Sequence, residues 1–286
     1  MMFECQTDSR VMFSKVLCIS LASRTDRRDH AADELGRQGL APFSWVSAYD
    51  GASEAVGRAF SADRVAPFPP CFRCGAERCD CENRRLMPEQ VGTWLSHEDA
   101  WRSAAEEGLT LICEDDVKFT ERAAEGIAWL AAETELSGAL EREEPVLLRL
   151  GRALVPGHAS PAAFALTRQP SMSNPCYALN RPMADLLLTT SARISTTVDI
   201  YTHSEVAPRA SHFSIEPPLA YERSWSTGEL RSDIRPKQVY LDRQRALLSK
   251  LEPSDPRYLS VLEAIEAEEA RFRAFETYNN PSGEKS

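Results

Sequence analysis

The sequence predicts an α/β fold, a largely parallel sheet flanked by helices. Short apolar runs at Val16-Leu17-Cys18-Ile19, Leu109-Thr110-Leu111-Ile112-Cys113 and Val146-Leu147-Leu148 have the length and continuity of strands buried on both faces. Amphipathic stretches with helical spacing lie between these runs. Such alternation favours parallel pairing, because a parallel neighbour requires a crossover long enough to hold a helix.

The 286 residues, 43% of them apolar, suffice for one large α/β domain or two small ones. A formal net charge of -10, from 33 basic and 43 acidic residues, argues against nucleic acid as the main partner. Polyphosphate backbones are held by clustered Lys and Arg. A single nucleotide in a locally basic or metal-bearing pocket stays compatible. No run approaches the ~20 apolar residues of a membrane-spanning helix. Met1-Met2-Phe3-Glu4-Cys5 lacks the basic start and apolar core of a signal peptide. A cytoplasmic location is therefore expected.

Residues 1–14 show no periodicity and read as a disordered lead-in. After the first strand, Ser23-Arg24-Thr25-Asp26 forms a polar turn in which Thr25 or Asp26 can cap a helix striped by Ala31, Leu35 and Leu40. Phe43 to Ala48 is a second strand, closed by Asp50-Gly51. Pro88-Glu89 opens a helix with Val91, Trp94, Leu95, Trp101 and Ala105 on one face, and Gly108 is expected as its C-terminal glycine. A helix near 121–136, the strand at Val146, and a strand running into a helix over 176–190 follow. Beyond Arg193 the texture turns loop-like, with Pro208, Pro217, Pro218 and Pro236. A charged helix over 255–277 carries a thin apolar face of Tyr258, Leu259, Leu262, Ile265 and Phe272, which either packs on the core or meets a partner or a second copy. The expected organisation is a lead-in 1–14, a main domain 15–245 with a Cys-rich insert at 66–87, and a helical tail 246–286.

Glu114-Asp115-Asp116 ends the best strand, and three adjacent acids there need a reason. Desolvated carboxylates that crowd one another are costly unless paired or metal-bound. In open α/β sheets the C-terminal strand ends border the ligand crevice. Glu114 and Asp116, alternating along the chain, can offer hard oxygens to Mg²⁺ or Mn²⁺. The plainer alternative is that Asp115 or Asp116 caps the next helix.

Cys71, Cys74, Cys79 and Cys81 form a C-x2-C-x4-C-x-C cluster within eleven residues. In a reducing compartment this spacing suits a tetrahedral structural Zn²⁺; disulfides or free thiols are the alternatives.

Three blocks resemble glycosyltransferase family 25. The first runs from Val16-Leu17-Cys18-Ile19-Ser20-Leu21 through Arg27-Arg28 to Ala48-Tyr49-Asp50-Gly51. The second and most specific is Pro88-Glu89-Gln90-Val91-Gly92-Thr93-Trp94-Leu95-Ser96-His97, continuing through Trp101 to Glu114-Asp115-Asp116-Val117. The third comprises Tyr177-Ala178-Leu179-Asn180-Arg181, Val198-Asp199, Glu216-Pro217-Pro218 and Ser232-Asp233-Ile234. Ser20 stands where the family usually has Asn, Thr197 where it has Pro, and the cysteine insert is outside its pattern.

The resemblance implies a GT-A-like, Rossmann-type fold and an inverting, metal-dependent hexose transfer. The donor it implies is a nucleotide sugar, UDP-galactose above all, and the acceptor a hydroxyl of a saccharide or of another acceptor, with lipopolysaccharide-type synthesis as the setting. Glu114 and Asp116 match the element that holds the metal against the diphosphate. Arg27, Asp50, Ser96, His97 and Asp115 are implied substrate-site residues, and Asp199 the general base. His203, His212 and Asp233 are candidate third metal ligands. Work at the inner membrane face, with peripheral membrane association or a homodimer, is the implied setting. Two rival classes are a non-catalytic zinc-bearing module on a transferase scaffold and a metal-dependent phosphohydrolase.

Overall fold

A computed structural model describes residues 12–66, 86–153, 162–168, 173–223, 245, 247–263, 265 and 266. The four-cysteine cluster, Asp233, Phe272 and the lead-in up to Val11 lie outside the described residues. The chain divides into two compact units, Met1–Ala153 with Ser160–Tyr221, and Leu154–Ala159 with Glu222–Ser286.

The elements of the first unit run β1 (Phe13–Ser20), α1 (Thr25–Arg37), β2 (Ser44–Ser47), α2 (Glu54–Ser61), α3 (Pro88–Arg102), β3 (Leu109–Glu114), β4 (Val117–Phe119), α4 (Ala123–Ala131), α5 (Thr134–Glu141), β5 (Val146–Arg149), β6 (Ala165–Thr167), β7 (Cys176–Leu179), α6 (Arg181–Thr190), α7 (Val198–Ile200), β8 (Ser211–Glu216) and β9 (Ala220–Glu222). The main sheet has the order β2-β1-β3-β7-β5-β8-β6, and β4 with β9 makes a small ribbon. Strands β1, β2, β3, β5 and β8 point one way; β7 and β6 run against them. The sheet is thus mainly parallel, as the alternation predicts. The antiparallel β7, wedged between β3 and β5, was not legible from its own apolar run.

Side-chain alternation splits the core into two layers. Val16, Cys18, Leu109, Leu111, Cys113, Val146, Leu148, Cys176 and Ala178 face one way and pack with Ala31 and Leu35 of α1 and Ile127 and Leu130 of α4. Leu17, Ile19, Ile112, Leu147, Tyr177 and Leu179 face the other way and pack with Trp94 and Trp101 of α3 and Met183 and Leu187 of α6. Every central strand is therefore apolar at successive positions, which is why period-two patterning is missing from its sequence.

Several local expectations are corrected. Strand β1 begins at Phe13, inside the segment expected as lead-in. The N-cap of α1 is Arg24, without a side-chain cap; Asp26 instead pairs with Arg24 at 3.0 Å. Helix α3 stops at Arg102, so Gly108 is no helix cap. It turns the chain into β3 at φ +71, and a Cβ there would lie 2.1 Å from Ser14 Oγ. The helix expected near 121–136 breaks after Ala131 into α4 and α5. Asn180, unnoticed as a cap, accepts from Met183 N at 3.2 Å and Val146 N at 2.9 Å, fastening α6 to β5.

In the second unit, Val261 and Ile265 bury against Leu248 and Leu251, while Leu259, placed on the apolar face by sequence, is 65% exposed. Among the described residues no helix is long and apolar enough to cross a membrane.

Candidate active site

Strands β1, β3 and β5 end at one edge of the sheet, at Ser20, Glu114 and Arg149. Antiparallel β7 starts there, led in by Ser173-Asn174-Pro175, and Glu114 N donates to Pro175 O at 3.0 Å. This carboxyl edge is where open α/β sheets bind ligands. Ile112, Tyr177 and Arg149 are cross-strand partners in one row on the α3 side. Glu114, two residues after Ile112, continues that face to the rim.

Glu114 keeps 22% of its side chain exposed, and its Oε1 meets His97 Nε2 at 3.1 Å. Burial pushes its carboxyl well above the usual range, and the neighbouring Asp116, Asp115 and Asp199 push it further; Arg27 pulls it down. His97 is fully buried, which lowers it to about 4 despite the field of Asp199. The ring is therefore neutral at pH 7, and its contact with Glu114 is a hydrogen bond rather than an ion pair.

Asp115 turns to the opposite side of β3. Its Oδ1 pairs with Arg27 Nη1 at 3.0 Å, and its Oδ2 accepts from Ser20 Oγ at 2.7 Å. Burial raises the Asp115 carboxyl, while Arg27 and Ser20 draw it back. Arg27 thus sits in the first turn of α1, 8% exposed, with its guanidinium committed to a protein partner. Asp116 follows in the turn before β4 and is 4% exposed.

Asp199 lies in α7, 9% exposed, and its Oδ2 accepts from Ser173 N at 3.3 Å. The same chain turn carries Asn174, whose Oδ1 meets His203 Nε2. Arg149, 5% exposed, is lowered to about 10 by burial and supported by Asp199. His203 is held well below its ordinary value by burial and by the nearby Arg149, His97 and His212. It stands in a π-helical segment, Tyr201–Val206, continuing from α7, a backbone form that often marks functional sites. Residues far apart in sequence thus meet at one rim: Glu114, Asp116, Arg149, Asn174, Asp199 and His203.

Two expected site residues, Ser96 and Asp50, bond to backbone around the 48–51 turn. Ser96 is fully buried and spends its hydroxyl on Gly92 O at 2.6 Å and Tyr49 N at 2.9 Å. It staples α3 to the 48–51 turn. Asp50 closes that turn by accepting from Ala52 N at 2.8 Å. The motif glycines explain the rest of this block: a Cβ on Gly92 would lie 2.4 Å from Tyr49 O, and one on Gly51 would lie 2.9 Å from Glu89 N. His212 is on β8, bonded through Nε2 to Arg168 O at 3.0 Å. Arg149 and Asn174 escaped the sequence reading. Arg149 had one signal, a cation ending an otherwise apolar strand.

Open grooves also lie between β2 and α3, past Trp45, Tyr49, Asp99 and Arg102, and beside α2, past Arg58, Arg64 and Glu98. Neither is lined by the acid cluster. Among the described residues no set of three or more His, Cys, Asp or Glu side chains forms a metal cage. The donor chemistry fits an ion held by one or two carboxylates and completed by ligand oxygens, the habit of Mg²⁺-like ions. The elevated Glu114 is what such an ion would return to its charged form.

The structure presents a mixed α/β sheet with carboxylates at its C-terminal rim. Residues 13–202 match glycosyltransferase family 25 (LPS biosynthesis protein), and the chain belongs to that family. It is a glycosyltransferase. No curated protein matches it.

Proposed function

We propose that the chain moves a hexose from a nucleoside diphosphate sugar, UDP-galactose by family resemblance, to a hydroxyl of a saccharide acceptor in lipopolysaccharide-type synthesis. The observation that carries this is the crowding of Asp115, Asp116 and Asp199 around Glu114, whose carboxyl is pushed well above its ordinary range. Such a cluster is suited to a divalent cation with a diphosphate on its far side. Glu114 and Asp116 would hold Mn²⁺ or Mg²⁺, which when bound offsets the negative charge on the departing diphosphate. Asp199 is the base. It takes the acceptor hydroxyl's proton as that oxygen bonds to the anomeric carbon, and the nucleoside diphosphate leaves with the electrons of the broken bond. Attack opposite the leaving group inverts the anomeric centre. Arg149, whose charge is supported by Asp199, lies at the same rim. Arg27 and Asp115 brace the rim from the α1 side.

Donor screening across UDP-, GDP- and CMP-sugars with Mn²⁺, with the product's anomeric configuration read by NMR, tests this. Metal-dependent transfer with inversion is expected. Free phosphate without sugar transfer would support a phosphohydrolase instead.

A further inference from the structure

Behind Glu114 runs an unbroken row of hydrogen bonds whose direction is set by its donors. Trp101 Nε1–H can only donate, and it donates to the Tyr177 hydroxyl oxygen at 2.9 Å. The Tyr177 proton is then directed to His97 Nδ1 at 2.8 Å. With Nδ1 accepting, the neutral ring carries its hydrogen on Nε2 and donates to Glu114 Oε1 at 3.1 Å. The reverse direction would strand the Tyr177 proton, because that hydroxyl would then accept from both Trp101 and His97. Trp101, Tyr177 and His97 are all 0% exposed, so water cannot substitute for any link. The rings are also braced: His97 stacks on Tyr177 at 24° and 5.7 Å, and Trp94 meets Trp101 edge-on at 5.6 Å.

We propose that Tyr177 and Trp101 are positioning residues for the metal ligand Glu114, acting through His97 as a relay locked in its Nε2–H form. His97 occupies Oε1 and thereby turns the other carboxylate oxygen to the ion. The inference rests on the reading of Glu114 as a metal ligand. It adds two residues that touch no substrate and gives the buried histidine of the Ser96-His97 motif its task. Outer-shell partners of metal ligands typically contribute 10–100-fold in metal affinity.

The test uses the full chain. Mn²⁺ binding in the presence of UDP is followed by electron paramagnetic resonance, and the nitrogen shifts of His97 by NMR. Wild-type protein should show Nε2 protonated and Nδ1 bare. Tyr177→Phe removes the donor to Nδ1, so it should mix the two tautomers and weaken Mn²⁺ by about 10–100-fold. Turnover at saturating Mn²⁺ should change much less. His97→Gln keeps an N–H for Glu114 and an oxygen for Tyr177 and should retain most of the affinity, whereas His97→Leu should not. A folded Tyr177→Phe protein that binds Mn²⁺ as tightly as wild type overturns the proposal. So does a wild-type His97 protonated on Nδ1, a result that needs no variant to fold. A wild-type protein with the expected tautomer but no Mn²⁺ binding instead removes the metal reading beneath it.

Discussion

Arg27 should matter to stability before it matters to donor binding. Its 3.0 Å pair with Asp115 joins side chains only 9% and 10% exposed, and Ser20 Oγ completes the carboxylate at 2.7 Å. Removing one partner strands the other charge in the interior, at a cost of about 3–5 kcal/mol. Arg27→Met and Asp115→Asn should each lose about that much in urea unfolding. The double variant should lose clearly less than their sum, with a coupling of roughly 1–3 kcal/mol. The two single variants should also part company at the rim. Arg27 brings a positive charge and Asp115 a negative one near Glu114, and a divalent ion feels each about twice as strongly as the proton it displaces, so Mn²⁺ affinity at pH 7 should hold or rise in Arg27→Met and fall in Asp115→Asn. If Arg27→Met keeps wild-type stability yet loses UDP affinity, the guanidinium is a donor contact and the structural account of it is wrong.

Gly92→Ala drives a Cβ toward Tyr49 O, 2.4 Å away, and should lower stability by about 1–3 kcal/mol in thermal unfolding; an unchanged Tm would refute the tight packing of α3 on the 48–51 turn. Asp199→Asn should abolish transfer while leaving UDP-sugar binding intact in calorimetry; loss of both makes Asp199 a donor contact. Because Glu114 in the metal-free protein binds its proton up to an unusually high pH, metal must displace that proton, and apparent Mn²⁺ affinity should climb as pH rises toward that raised value. A flat profile would mean that Glu114 is no ligand. Zinc is inferred from the spacing of Cys71, Cys74, Cys79 and Cys81 alone. Elemental analysis should find it in the purified chain and lose it in Cys74→Ser; zinc-free wild-type protein rejects it.

What the sequence made legible was local. The apolar run ending in Glu114 is a strand whose neighbours on both faces are apolar, and Pro88 does open α3. What it hid depends on contacts between distant residues. Arg27 and Asp115 are 88 positions apart, and His97 and Tyr177 are 80, so no periodicity records either pairing. Cys176-Tyr177-Ala178-Leu179 reads as a buried strand in either direction; only its pairing with β3 and β5 fixes it antiparallel and brings Ser173 and Asn174 to the rim. Ser96 shows what a motif position leaves out. A motif position beside His97 invites a chemical role, yet its hydroxyl closes a backbone joint.

UDP titration of the full chain by calorimetry, with Mn²⁺ and after chelation, for wild type and Asp116→Asn, tests the central claim most directly. Wild-type protein should bind UDP tightly only with the metal present, and Asp116→Asn, though folded, should lose this dependence together with the affinity. Equal UDP binding by chelator-treated wild type, or metal-dependent binding undiminished in Asp116→Asn, would contradict the assignment of the acid cluster to metal and diphosphate.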